Sequence, residues 1–272
     1  MSIKRLSNPM AAVWAGKEVF TMNFIQCVQA AKDFWRPNRY RLKEYVIKDG
    51  KKHPFAVICP GGAYSMVCGF IEGMPYAKKL NEMGLSAFVV YYRCKKKALY
   101  PAPQDDLARA IHEIMARGDE WNLDLEHYSV WGSSAGGHLA ASFGTNNMGY
   151  EKYHLPKPGA LVLTYPVITM GELTHAGTCR NLLGEEPTKE MIEFASIEKN
   201  VTPDYPDTFI WCGDADRTVL SENSHMLAEQ LEVNNIRHQF LVYPGVDHGV
   251  GLGTGLACEE WIEEAVRFWL IL

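Results

Sequence analysis

The stretch Val130-Trp131-Gly132-Ser133-Ser134-Ala135-Gly136-Gly137 sets Ser134 in the frame G-x-S-x-G, where a β-branched and aromatic run gives way to a helical pattern. A strand, a sharp turn and a helix are predicted, with the Ser134 hydroxyl at the apex of the turn. Gly132 and Gly136 are required sterically, because a Cβ at either position would meet the neighbouring strand or helix as the chain doubles back. The following helix offers N–H groups and the positive end of its dipole to an oxyanion formed beside Ser134. Ser133 holds the variable position of the frame and is expected to point away from the apex. A serine hydroxyl is a poor nucleophile at neutral pH unless a base removes its proton, and that base needs a group to fix its tautomer.

Two later stretches offer such groups. Gly213-Asp214-Ala215-Asp216-Arg217-Thr218-Val219 follows the apolar run Thr208 to Cys212 and holds two carboxylates. Pro244-Gly245-Val246-Asp247-His248-Gly249 follows the run Gln239 to Tyr243 and holds an imidazole beside a third carboxylate. The chain order is Ser, Asp, His. A fourth stretch, Pro60-Gly61-Gly62-Ala63-Tyr64, puts a glycine pair directly after another apolar run, where backbone can approach a ligand closely and turn N–H groups toward it.

These stretches need a scaffold that brings strand ends together, and the hydrophobic pattern supplies one. Continuous apolar runs at Pro54 to Cys59, Ser86 to Tyr92, Tyr128 to Trp131, Ala160 to Tyr165, Thr208 to Cys212 and Gln239 to Tyr243 read as strands buried on both faces. An edge strand is predicted within Tyr40 to Lys48. Helices are predicted from Pro75 to Gly84, Gln104 to Arg117, Ala135 to Phe143, Ser221 to Val233 and Leu256 to Leu270. Alternating buried strands and helices imply an α/β fold, a mostly parallel sheet with helices on both faces, whose functional loops lie beyond the carboxyl ends of the strands. Residues 167–203 break the alternation for longer than a connection should, and are expected to form a small cap insertion with one short helix near Pro187 to Phe194.

With 272 residues and no linker-like tract, one domain over 1–272 is expected. Residues 1–39 form an N-terminal arm whose Phe20, Phe24, Phe34 and Trp35 need a cover, from the sheet, the mouth of the site or a second copy in a homo-oligomer. A net charge of −5 gives no basic footprint for nucleic acid, and Lys95-Lys96-Lys97 reads as a solvated loop. No stretch has the length and apolarity of a membrane span. Seven cysteines without paired spacing, and an N-terminus that makes a poor signal peptide, point to a reducing, cytoplasmic setting.

Pro-Gly-Gly-Ala-Tyr after a strand, Gly-Ser-Ser-Ala-Gly-Gly-His, Gly-Asp-Ala-Asp-Arg-Thr-Val and Pro-Gly-Val-Asp-His-Gly together resemble the acetyl esterase and acetylxylan esterase branch of the α/β-hydrolase esterase/lipase families. The likeness extends to Asn181-Leu182-Leu183-Gly184 and to Ser196 through Pro203. It implies an α/β-hydrolase fold and a serine esterase acting on short acyl esters of a carbohydrate or other small alcohol. It further implies Ser134 as nucleophile, His248 as general base, Asp216 as the acid that orients it, and an oxyanion hole from the N–H groups of Ala135 and of Gly62 or Ala63. Where many relatives have His-Gly-Gly-Gly, this chain has Pro60-Gly61-Gly62-Ala63, which leaves open which amide points inward. Asp214 is the main rival to Asp216, and Asp247 the lesser one. A peptidase or amidase with the same triad, or a non-catalytic binding protein on the same scaffold, are the alternatives.

No metal and no cofactor are expected. His112-Glu113 is followed at the zincin position by Ala116, and Gly249, Gly251, Gly253 and Gly255 do not fit G-x-G-x-x-G. The expected partner is a small-molecule ester. His138, one turn beyond Ser134, is read as a buried structural residue, and Arg93 as the partner of Asp105 or Asp106.

Overall fold

Five strands of the sheet consist of apolar or small residues because both of their faces are covered. The computed structural model describes residues 39–270, and its sheet runs β1 (Arg41–Tyr45), β2 (Phe55–Cys59), β3 (Ser86–Tyr91), β4 (Ser129–Ser133), β5 (Ala160–Thr164), β6 (Thr208–Gly213) and β7 (His238–Tyr243). Every residue of β2 to β6 is buried, whereas β1 and β7, at the edges, are partly exposed. The spatial order is β1-β3-β2-β4-β5-β6-β7. β1 runs antiparallel to β3 and the other pairs are parallel.

The helices are α1 (Met74–Glu82), α2 (Ala102–Ala116), α3 (Ser134–Ser142), α4 (Ala176–Leu183), α5 (Lys189–Ala195), α6 (Glu222–Val233) and α7 (Trp261–Leu270). Strand placement proceeds to one side of β2 and then jumps to its other side with β4. The crevice beyond the carboxyl ends of β2 and β4, which pair from Ala56↔Ser129 to Cys59↔Gly132, is therefore a topological switch point. The Pro60-Gly61-Gly62 loop and Ser134 both emerge into it. Beneath it lies a buried cluster of indoles, with Trp261 between Trp131 (5.8 Å between ring centroids) and Trp211 (5.7 Å).

Two expectations change. Between β5 and β6 the chain forms two α-helices where one was expected: besides α5, helix α4 covers Ala176–Leu183. Its N-cap is His175, whose ring Nδ1 accepts from the Thr178 N–H, a task that sequence patterns assign to Ser, Thr, Asp or Asn. The last helix starts at Trp261, because residues 256–260 stay in turns. The N-terminal arm, but for Arg39, lies outside the described residues.

Candidate active site

The elbow at Ser134 is made by close packing. Ser134 has φ of 54°, a left-handed conformation that costs a non-glycine residue energy and is held by its surroundings. A Cβ on Gly132 would lie 2.1 Å from the Gly136 carbonyl oxygen, and one on Gly136 would lie 2.0 Å from that of Cys59. Glycine at both positions lets α3 fold back onto β4 and β2. Ser133 points the other way. Its buried hydroxyl accepts from Thr164 Oγ1 (2.7 Å) and donates to Tyr76 Oη (3.3 Å).

The loops after β4, β6 and β7 converge on one another. Ser134 Oγ lies 2.8 Å from His248 Nε2, and His248 Nδ1 lies 2.6 Å from Asp216 Oδ2. Both contacts are satisfied when Nδ1–H donates to the carboxylate and the serine hydroxyl donates to Nε2. The Asp216 carboxylate is fully buried, and its other oxygen accepts the N–H groups of Thr218 and Val219, each at 2.9 Å. Asp214 is turned elsewhere, with Oδ1 accepting the Gly245 N–H at 2.6 Å and so tying the β6 loop to the β7 loop. Asp247 accepts the N–H of its neighbour His248 at 2.7 Å. The imidazole packs on Tyr165, with ring centroids 4.9 Å apart.

The loop after β2 completes the site. The Gly61 carbonyl accepts from the Cys68 N–H, and the Gly62 carbonyl accepts from the N–H groups of Ser65 and Met66. Because each peptide unit is planar and trans, these bonds turn the N–H groups of Gly62 and Ala63 the opposite way. Asn181 of α4 holds the Ala63 carbonyl at 2.7 Å. Ala135 stands in the first turn of α3, where N–H groups have no intrahelical acceptor. Gly62, Ala63, Ser134, His175, Thr218 and His248 line a cleft of about 310 Å³.

Sequence reasoning missed Glu72, His175 and Tyr165. Glu72 lines the cleft yet is almost fully buried, and burial pushes its carboxyl pKa up, against opposing hydrogen bonds from the Gly61 N–H and the Tyr165 hydroxyl and the nearby His248. The only sequence signal is an acid set between Gly69 and Gly73. His175 is pushed down by burial and by the neighbouring His248. His138 is fully buried, with Nδ1 accepting from the Tyr64 hydroxyl (2.9 Å) and Nε2–H donating to the Ala195 carbonyl (2.8 Å). Arg93 pairs with Asp106, at 2.9 Å from Nε to Oδ2.

The BD-FAE family model matches residues 45–231. The chain is 32% identical over 250 residues to endo-1,4-beta-xylanase B of Butyrivibrio fibrisolvens, covering 85% of this chain and 39% of that one. It is 28% identical over 218 residues to an acetylxylan esterase of Xylanibacter ruminicola, covering 78% and 44% respectively. The chain thus spans less than half the length of either relative. Among solved structures, an acetyl ester-xyloside bifunctional hydrolase from Caldicellulosiruptor lactoaceticus superposes with a TM-score of 0.78 at 31% identity, over 86% of this chain and 88% of the other. The family match, which takes in β2 to β6 and most of α6, and the sheet order on which it falls lead to one conclusion: the chain belongs to the BD-FAE family and has the α/β-hydrolase fold.

Proposed function

We propose that this protein is a serine carboxylic-ester hydrolase that removes short acyl groups, acetyl foremost, from a carbohydrate or other small alcohol through an acyl-enzyme. The observation that carries this reading is the unbroken path from Ser134 Oγ through His248 to the buried Asp216. In this mechanism Ser134 Oγ attacks the ester carbonyl carbon while His248 Nε2 takes its proton. Asp216 keeps the proton on Nδ1 and stabilises the imidazolium that forms. The carbonyl oxygen, now an alkoxide, receives the N–H groups of Ala135 and of Gly62 or Ala63, each such donor lowering the barrier by about 3 kcal/mol. Collapse of the tetrahedral intermediate breaks the bond to the alcohol oxygen, which leaves with the proton from Nε2. Water, deprotonated by the same nitrogen, then attacks the acyl-enzyme and releases the acid and free Ser134.

A cleft of about 310 Å³ is at the small end of ligand sites and suits a short acyl chain with part of its alcohol. The names of the relatives, a xylanase, an acetylxylan esterase and an acetyl ester-xyloside hydrolase, support a carbohydrate as that alcohol. The test is labelling of the full chain with a fluorophosphonate, together with rates on acetylated xylo-oligosaccharides, p-nitrophenyl esters of increasing acyl length, and the matching amides. Labelling at Ser134 with acetyl esters turned over fastest is expected. Amides cleaved as fast as esters, or labelling with no ester turnover, would overturn the reading.

A further inference from the structure

Glu72 is a carboxylate in a place where neither the nucleophile nor its base needs one. It stands in a single wide turn, Gly69–Gly73, closed by the Met74 N–H on the Gly69 carbonyl, just before α1. One oxygen, Oε2, accepts the Gly61 N–H at 2.6 Å, and the other, Oε1, accepts the Tyr165 hydroxyl at 2.9 Å. Gly61 is packed so tightly that a Cβ there would lie 2.8 Å from both Glu72 Oε2 and the Cβ of Ser134. Tyr165 in turn lies under the His248 ring, and its hydroxyl also meets Tyr76 Oη at 3.3 Å and the Gly251 N–H at 3.4 Å.

We propose that Glu72 is a positioning residue that holds the β2 loop with its Gly62 and Ala63 N–H groups toward the cleft and ties that loop, through Tyr165, to His248. By accepting the Gly61 N–H, Glu72 takes that donor out of the cleft and fixes the first peptide plane of the loop. The planes that follow are then set by the Cys68, Ser65 and Met66 bonds to the carbonyls of Gly61 and Gly62. A carboxylate accepts the Gly61 N–H and the Tyr165 O–H at once, whereas a glutamine accepts at one oxygen only and meets Tyr165 with the bond reversed, its amide N–H donating to a hydroxyl that must then turn its own proton elsewhere. A buried acid is costly to keep, and here two donors aimed at it offset that cost. The arrangement prepares the site for the alkoxide and leaves the bound ester untouched, so its loss should appear in kcat more than in KM.

This inference rests on the serine-esterase reading for its kinetic part and stands apart from it for its structural part. The experiment compares the full chain with Glu72→Gln and Glu72→Ala by hydrogen exchange over residues 60–68 without ligand, and by steady-state rates on a small acetyl ester. Glu72→Ala is expected to speed exchange in that segment at least about tenfold and to lower kcat about 100-fold, with KM within about threefold. Glu72→Gln, which keeps the volume and the Gly61 bond but loses the charge and reverses the bond to Tyr165, should fall between, and remains informative if the alanine variant does not fold. Exchange unchanged from the parent in every variant that folds, or kcat unchanged in them, or a loss confined to KM, overturns the proposal. If the parent chain neither turns over esters nor reacts with a fluorophosphonate, the esterase reading has failed, and the exchange comparison still decides whether Glu72 holds the loop.

Discussion

Asp216 Oδ2 lies 2.6 Å from His248 Nδ1, whereas the carboxylate of Asp214, two residues earlier on the same loop, is spent on the Gly245 N–H. The two acids thus have separable tasks. Because Asp216 Oδ1 accepts the Thr218 and Val219 N–H groups, Asp216→Asn would keep its oxygen there and present its amide N–H to Nδ1, leaving the imidazole in the wrong tautomer, so kcat should fall about 10⁴-fold with KM little changed. Asp214→Asn loses one loop tie and should cost less than about tenfold. Rates of both variants on one small ester check this, and a larger kcat loss at Asp214 would reverse the assignment.

Ser134→Ala should abolish ester turnover and fluorophosphonate labelling, since among the described residues it is this hydroxyl that lies on His248 Nε2. Ser133→Ala should keep most of both. What it loses is the buried link between Thr164 and Tyr76, worth about 1 to 3 kcal/mol once a partner is left unsatisfied. Labelling that survives in the Ser134 variant, or that disappears in a folded Ser133 variant, contradicts the elbow geometry.

How far the site could be read from the chain depends on the range of its contacts. The strands of the sheet were legible because burial on both faces leaves continuous apolar runs such as Phe55 to Cys59 and Thr208 to Cys212. Ser134, Asp216 and His248 stand out because each occupies a short loop directly after such a run. Glu72 was not legible, because its partners are a backbone amide 11 residues away and a tyrosine 93 residues away, and neither contact leaves a local pattern. Helix α4 was hidden for a local reason: His175 replaces the usual capping residue.

Asn181 of α4 grips the β2 loop, donating from Nδ2 to the Ala63 carbonyl at 2.7 Å. Asn181→Ala frees that carbonyl and lets the peptide between Ala63 and Tyr64 rotate. A kcat loss of about tenfold is expected, smaller than at a direct oxyanion donor because the Gly62 carbonyl remains tied. Stopped-flow acylation with a p-nitrophenyl ester measures it. An unchanged acylation rate would mean that α4 plays no part in shaping the loop.

His138 sets an acid limit on the fold. It is completely buried one turn beyond Ser134, and desolvation pushes its pKa down from 6.5 to about 4, only partly opposed by its bond to the Ala195 carbonyl. The unfolded chain therefore takes up a proton between about pH 6.5 and 4 that the native protein refuses, and stability must rise with pH across that window. The penalty is absent above about pH 6.5, grows as pH falls toward 4, and changes no further below that. At about 1.4 kcal/mol per pKa unit the gap corresponds to about 3 kcal/mol. His138→Gln can still accept from Tyr64 and donate to Ala195 but has no proton to gain in either state, so its stability relative to the parent should rise by about 3 kcal/mol as pH falls from 7.5 to 4. Urea unfolding of both proteins from pH 7.5 to 4 compares the slopes, with the acidic groups common to both cancelling in the difference. Parallel stability curves for the two proteins would show that His138 is not held neutral by burial.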